Sequence, residues 1–459
     1  MNVGLCLGPQ TITAACMRVG SPPTFSVLNI AGDYSRALAS MLKKLSRVNA
    51  IDNIILDVSG ILQQSPRLAV TSIRIAPRKP LDHHNERREE YLVPNTVIYV
   101  CGGHNSLGGE LVQLDESAVR NIPQGSLSRK HVTVSAVGAL INPEHEQRVE
   151  QLLWDIAGPA SVVLASSFTS TSFRDREYTA IVNTGLLEAA DQLSSDISDA
   201  ARLHASEARL FFATNDGGCL PLRRLPLVPV FGLQSREATT LGGAAHLAGV
   251  TDGRVVVGFD DKVCLADFAD ALPVVRERWK SKVRLADSTD ALPLVRERWR
   301  SFEGPHLATS HANVLPVTAS LLSGSPAPRA VVQVGITSAR LEQFGLSVTH
   351  YVDHDPAALG AATAPLSYWY DQYVTVRNAR DIEKALADAQ RLATARLVAS
   401  GTNPSIVRVS DSRVMGSTYG ESQVVRIRVR ATAPLAEIRL EPQLRAPNLP
   451  EKAGVNPWN

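Results

Sequence analysis

Residues 208–260 read ARLFFATNDGGCLPLRRLPLVPVFGLQSREATTLGGAAHLAGVTDGRVVVGFD. An apolar run ends in Asn215-Asp216-Gly217-Gly218. A second glycine pair opens a small-residue helix at Thr240-Leu241-Gly242-Gly243-Ala244-Ala245, and a valine-rich strand follows at Arg254 to Gly258. Strand, glycine turn, helix and strand in this order have the layout of a phosphate-binding centre, because glycines let backbone N–H groups approach an anion. On either side the same alternation continues. Strand-like segments at Asn2 to Leu7, Asn53 to Val58, Thr96 to Cys101, His131 to Val137, Ser161 to Ala165, Arg209 to Ala213, Arg254 to Gly258, Ala330 to Val334 and Ile406 to Val409 are separated by helical patterns. The chain is therefore read as α/β.

Three helices carry agreeing signals. In the first, Asn142 is the expected cap and Pro143 sits in the first turn. Val149, Leu152, Leu153 and Ile156 share a face, and Gly158 is the stop. Tyr178 to about Leu203 is a second amphipathic stretch. The third runs from Ala379 to Ser400, with Ile382, Ala385, Leu386, Ala389, Leu392 and Ala393 at helical spacing and Gly401 as its stop.

Length and charge narrow the function. At 459 residues the chain suffices for two or three domains, and 44% hydrophobic with 20% charged residues is ordinary for a globular protein. A net charge of +2 gives no overall pull toward nucleic acid or an anionic membrane. The basic run from Arg78 to Arg88 is followed at once by Glu89-Glu90 and reads as a solvated loop. Five cysteines without a Cys-x-x-Cys pair suit a reducing compartment. The lack of a leader pattern or a long apolar run makes the cytoplasm the expected location.

A tandem repeat stands out, KVCLADFADALPVVRERWKS at 262–281 followed by KVRLADSTDALPLVRERWRS at 282–301. Each copy reads as a short strand, an Asp-capped turn at Asp270 or Asp290, and a helical turn with Pro273 or Pro293 near its start. Two copies are too few for a solenoid. The repeat reads as a local duplication, or as a partner-facing element anchored by Trp279 and Trp299.

Several segments together resemble the A subunit of the hydantoinase/oxoprolinase family. Asn142-Pro143-Glu144-His145-Glu146-Gln147-Arg148-Val149 is similar to its NPxHExRV helix start, and Arg176 to Asn183 to its RExxTxxxN helix. Thr214 to Gly218, Gly242 to Ala245, and Asp355-Pro356-Ala357-Ala358-Leu359-Gly360-Ala361-Ala362 are similar to further family elements, in family order. The resemblance implies an actin-like (ribonuclease H-like) fold of duplicated domains, with mixed sheets flanked by helices. It also implies ATP-dependent opening of cyclic amides or activation of carbonyl compounds. The domains then expected are residues 1–75, the N-terminal part of the first actin-like domain; 76–165, a small α/β insert; 166–375, the actin-like core with the repeat; 376–441, a C-terminal α/β segment; and 442–459, an extended tail.

The departures fall where the family's chemistry lies. Its first phosphate hairpin reads DxGGTxTD, but the matching run here is Cys6-Leu7-Gly8-Pro9-Gln10-Thr11-Ile12-Thr13, in which Pro9 removes a donor. At the second hairpin Asp260-Asp261 replaces the glycine pair, which repels phosphate unless a metal intervenes. The HGTT-like segment is Asp57-Val58-Ser59-Gly60, and the adenosine loop is Gln333-Val334-Gly335-Ile336-Thr337. Two readings follow. One is a catalytically degenerate subunit, a structural or regulatory partner of a B-type subunit or of itself. The other is an active ATP-dependent cyclic-amide hydrolase or carboxylase subunit that uses ATP and Mg²⁺, with Asp260 and Asp261 as metal ligands.

Gly8, Asn215, Asp216, Gly217, Gly218, Gly242, Gly243 and Gly335 are the candidate cofactor-binding positions. Asp216 is the acidic group of the set, able to position a metal or polar substrate atom, or equally to close an Asx turn. His83-His84 with Glu86, Glu89 and Glu90 reads as a solvated loop, and Cys101-Gly102-Gly103-His104 as a tight turn. His145 reads as a first-turn helix residue, and Asp355 as a cap ahead of Pro356.

Overall fold

The computed structural model describes residues 1–18, 20–30, 33–79, 96–168, 173–259, 262–269, 271–273, 328–335, 341, 347–416 and 423–435. The strands are β1 (Asn2–Leu7), β2 (Thr11–Arg18), β3 (Ser21–Asn29), β4 (Asn53–Asp57), β5 (Val70–Ala76), β6 (Thr96–Cys101), β7 (His131–Ala136), β8 (Ser161–Leu164), β9 (Arg209–Ala213), β10 (Cys219–Pro221), β11 (Gly253–Phe259), β12 (Lys262–Ala269), β13 (Leu272–Pro273), β14 (Ala330–Val334), β15 (His350–Val352), β16 (Leu366–Thr375), β17 (Arg408–Gly416) and β18 (Val424–Ala433). The helices are α1 (Tyr34–Ser46), α2 (Ser59–Gln64), α3 (Glu116–Arg120), α4 (Glu144–Ala157), α5 (Phe173–Gly185), α6 (Leu187–His204), α7 (Pro229–Gly232), α8 (Ser235–Leu247), α9 (Ala357–Thr363) and α10 (Ala379–Ala399). They fall into two units. Met1–Ser65 and Ala189–Ser367 make most of the first, and Pro66–Glu188 with Tyr368–Ala433 most of the second.

The first unit contains the same sheet twice. In one copy the order is β3-β2-β1-β4-β9, with β1 antiparallel to β2 and parallel to β4, and β4 parallel to β9. In the other the order is β13-β12-β11-β14-β15, with β11 antiparallel to β12 and parallel to β14, and β14 parallel to β15. A hairpin followed by parallel strands, repeated, is the duplicated mixed α/β architecture expected from the sequence. The central strands are apolar throughout, since helices cover both faces; NIILD of β4 and VVV of β11 are buried without alternation. The duplication makes the β1–β2 and β11–β12 hairpins equivalent in position.

Local chemistry sets the element ends. Asp33 caps α1 through the Ser35 N–H, and Lys43 and Lys44 close its last turn against the dipole, while Leu38, Met41, Leu42 and Leu45 turn inward. The second glycine pair lies inside a helix rather than opening one: α8 begins at Ser235. Pro143, not Asn142, is the cap residue of α4; the Asn142 side chain takes the Glu144 N–H from one position earlier. The stretch 178–203 belongs to two helices, because the chain breaks step between Gly185 and Leu187. In the repeat, Leu272–Pro273 pairs with β12 as a short strand where a helical turn was expected; the rest of 274–301 lies outside the described residues.

The second unit holds an all-parallel sheet of order β6-β5-β7-β8, with α3 and α4 on the apolar face formed by Ile73, Ile75, Val132 and Val134. It also holds β16-β18-β17 with α10, whose buried residues are Ala389, Ala393 and Leu397. Among the described residues no helix is long and apolar enough to cross a membrane.

Candidate functional site

In the first unit the carboxyl ends of β1 and β4 meet the starts of α2, α8 and α9. In a mixed sheet of this kind the carboxyl ends of parallel strands are where ligands are held. Asp57, the last residue of β4, is fully buried there. Its Oδ1 accepts from the Ser59 N–H (3.1 Å) at the first position of α2, from Ser59 Oγ (2.6 Å), and from Ser235 Oγ (2.6 Å) at the first position of α8. Its Oδ2 lies 3.6 Å from Cys6 Sγ and 3.3 Å from Thr239 Oγ1. One turn of α8 and the last residues of two strands thus converge on one carboxylate.

The cation of this cluster is internal. The Arg236 guanidinium donates through one amino group to Cys6 Sγ and pairs through the other with Asp355 Oδ2 at 2.5 Å. Asp355 in turn takes the Ala357 N–H (3.0 Å) from one position ahead of Pro356, which is the cap residue of α9 where Asp355 was expected. Burial opposes the charge on Arg236, but Cys6, Asp355 and Asp57 outweigh it and push its pKa up. Burial pushes the Cys6 thiol well up, and the Asp57 charge adds to the effect against Arg236. Burial thus favours the neutral form of the Cys6 thiol.

The sequence-predicted positions are placed as follows. The Gly8 N–H is taken by the Thr11 carbonyl across the β1–β2 turn (2.9 Å). Thr214 to Gly218 forms a tight turn: Asp216 Oδ1 accepts from Thr214 Oγ1 and the Gly218 N–H, and Oδ2 accepts from Ser367 Oγ (3.0 Å). The Asx-turn reading thus describes the geometry of Asp216. Gly217 has φ +81°, and a Cβ there meets Pro273. The Asn215 N–H binds the Phe231 carbonyl (2.9 Å), and its buried side-chain amide nitrogen makes no hydrogen bond among the described residues. Gly243 packs against α9, and Gly242 is one step round the helix. Gly335, with φ +69°, follows β14, and a Cβ there would meet nothing within 4 Å among the described residues. Asp260, Asp261, His83, His84, Trp279 and Trp299 lie outside the described residues. Among those described, no three His, Cys, Asp or Glu side chains are grouped to hold a metal ion.

Asp57 and Arg236 were not among the sequence candidates. The signal available for them was their place: the last residue of an apolar strand ahead of Val58-Ser59-Gly60, and the second residue of α8, the helix that carries the second glycine pair.

No model of a known protein family and no curated protein matches the chain. Solved structures do. An acetone carboxylase in its nucleotide-free state, described for the mechanism of ATP-dependent acetone carboxylation, aligns over 96% of this chain and 89% of its own, with a TM-score of 0.62 at 13% identity. The ATP-dependent caprolactamase from Pseudomonas jessenii aligns over 97% and 89%, with a TM-score of 0.63 at 12% identity. The chain has their fold. Both are proteins of the hydantoinase/oxoprolinase family, so the fold agrees with the motifs at Asn142 to Val149, Thr214 to Gly218 and Asp355 to Ala362.

Proposed function

We propose that this chain is a hydantoinase/oxoprolinase-type A subunit that does not turn over ATP and acts as a structural or regulatory partner in a complex, either with a B-type subunit or with its own copies. The observation that carries the reading is Arg236. A triphosphate with Mg²⁺ needs free backbone donors at the first hairpin and carboxylates open to a metal. At this position the Gly8 N–H is already bonded, Pro9 has none, both oxygens of Asp57 are engaged by protein groups, and a guanidinium already balances Asp57 and Asp355. The described residues therefore do not fit Mg²⁺-ATP. The arrangement instead ties two strands and three helix starts together.

A second reading, an ATP-dependent cyclic-amide hydrolase or carboxylase subunit, is favoured by the ATP dependence of both structural neighbours. It needs a metal at Asp260 and Asp261. Calorimetry with ATP and Mg²⁺ separates the two. No binding heat is expected. Micromolar binding that is lost in both Asp260→Ala and Asp261→Ala overturns the scaffold reading in favour of the enzyme. The scaffold reading also requires a stoichiometric partner on isolation from the native cell, so a chain recovered alone and monomeric counts against it.

A further inference from the structure

In the second unit, the chain leaving β6 folds over the carboxyl edge of the parallel sheet as a loop, Gly102 to Leu111, closed by its own bonds: Leu111 N–H to the Gly103 carbonyl (2.9 Å), Asn105 N–H to the Gly109 carbonyl (2.8 Å), and Asn105 Oδ1 to the N–H groups of Leu107 and Gly109 (both 2.9 Å). Its backbone is shaped for close approach. Gly102 and Gly103 have φ +155° and +120°, and a Cβ on Gly102 would lie 3.2 Å from His145 Nδ1 and 2.8 Å from Ile75 Cγ2. Two of the bonds that hold this loop run to one imidazole. The Gly103 N–H donates to His145 Nδ1 (2.9 Å), and His145 Nε2 meets Glu110 Oε1 (3.1 Å). An Nδ1 that accepts carries a lone pair, so the neutral ring bears its proton on Nε2 and donates it to Glu110.

We propose that His145 is a pH-sensitive latch on the loop Gly102 to Leu111, closed by the neutral imidazole and opened at Gly103 by its protonation. A proton can enter only at Nδ1. There it sets one N–H against another across 2.9 Å, and the Gly103 bond is lost. The Glu110 contact becomes an ion pair at the same time, so protonation exchanges a backbone tie at the root of the loop for a side-chain tie near its end. The ring itself does not follow the loop, because α4 is anchored one residue on: Glu146 is fully buried and accepts from the Ala136 N–H (2.7 Å) and the Ser166 N–H (2.9 Å).

The charged and titratable neighbours support a switch at this ring. The His104 ring packs against it at a tilt, with ring centroids 4.1 Å apart, and is itself buried. Burial holds His104 below its ordinary range, with the charge of His145 adding to this. Glu110 faces it from the loop, and Glu144 and Glu146 flank it on α4. From β5 and the segment beyond the loop, Ile75 and Leu114 supply only apolar contact at Gly102.

Hydrogen exchange read by mass spectrometry, corrected for the intrinsic pH dependence of exchange, tests the latch on the full chain. The peptide covering Gly103 loses protection by about tenfold or more between about pH 7.5 and pH 5, the loss of one buried hydrogen bond. His145→Asn, whose Oδ1 stands where Nδ1 stood and does not titrate, keeps the protection at both values. Glu110→Gln, which removes the carboxylate favouring the imidazolium, moves the release to lower pH. Protection in the parent chain that stays flat across this range while the imidazole signals of His145 titrate overturns the latch. So does a pH dependence that survives unshifted in Glu110→Gln, the variant that keeps the reading testable if His145→Asn does not fold.

Discussion

Gly242 and Gly243 are adjacent, both helical and both part of the glycine turn first read as a phosphate cradle, yet alanine is expected to have opposite effects at the two. A Cβ on Gly243 lies 1.9 Å from the Pro356 carbonyl oxygen, 2.7 Å from its carbon and 2.9 Å from the Gly360 nitrogen. Real Cβ contacts do not fall below 3.0 Å, so α8 and α9 must part by about 1 Å, and the obstacle is backbone that no rotamer change can clear. Overpacking of this kind costs about 3 kcal/mol, the upper end of its usual range. The better helix propensity of alanine returns about 1 kcal/mol, leaving Gly243→Ala destabilised by about 2 kcal/mol. On Gly242 the nearest atom to a Cβ is Gly360 Cα at 3.9 Å, an ordinary contact. Only the propensity gain remains, and Gly242→Ala is stabilised by up to about 1 kcal/mol. The two variants are thus about 3 kcal/mol apart, or roughly 6–12 °C in melting temperature for a unit of this size. Thermal unfolding of both, without ligand and in parallel, reads the split. If the pair melts together, or Gly243→Ala melts with the parent chain, the packing account of this motif is wrong.

Asp216→Ala leaves Thr214 Oγ1, the Gly218 N–H and Ser367 Oγ without their acceptor. A loss of about 2–4 kcal/mol in urea unfolding is expected, while Ser367→Ala costs about 1 kcal/mol; a neutral Asp216→Ala contradicts the turn-locking role. Of the five cysteines only Cys101 is exposed, and burial pushes the thiols of Cys6 and Cys219 well up. One fast-reacting thiol per chain is expected with a maleimide at neutral pH, and a second at Cys6 speaks against the closed Arg236 cluster. His104 is held below the ordinary imidazole value by burial, so the unfolded chain binds its proton first as the pH falls. Its contribution is whole above about pH 6.5 and declines below it. Glu146, pushed up by burial, works in the opposite direction, so the effect is read as the difference between the parent chain and His104→Leu between about pH 7 and pH 5. An identical pH profile for the two contradicts it.

The fold was legible where burial is symmetric. Strands such as β1, β4, β9 and β11 are apolar on both faces and flanked by turn residues, so no tertiary knowledge is needed to find them. Several strands were not found, and for β2, β16 and β18 the reason differs in each. TITAACMR is built largely of Thr, Ala and Cys, without the Val/Ile-rich run that marks a strand. LSYWYDQYVT mixes aromatic and polar residues. VVRIRVRATA carries Arg426, Arg428 and Arg430 at alternate positions, all buried against Asp371, Trp369 and Tyr373. A buried arginine row leaves no hydrophobic period, since its partners come from another strand.

The candidate site shows the same limit more sharply. Glycines were the visible signal, and six of them were read as room for a ligand. Yet the space a missing Cβ leaves can be filled by the protein's own backbone: at Gly4, Gly243 and Gly360 a carbonyl oxygen lies within 2 Å of where the Cβ would be. These glycines are demanded by the α8, α9 and β1 crossings with or without a ligand. Gly8 is different, because its surroundings are its own turn and the backbone donor it could offer is already used. A chain can therefore keep the glycines that build this architecture while the groups that would hold a triphosphate change around them. The charge left at the strand ends still has to be balanced. Asp57 and Asp355 cannot lie together at the ends of β4 and ahead of α9 without a cation, and Arg236, carried on the first turn of α8, supplies it from within. An Arg236→Met variant separates balancing from packing: it keeps the volume and removes the charge. If charge balance is the role, the first unit loses about 2–3 kcal/mol, a buried ion pair broken on one side and moderated by the partial exposure of Arg236 and Asp355. An unchanged urea midpoint in Arg236→Met would show that the two carboxylates need no internal cation, and the case against a metal at this position would fall with it.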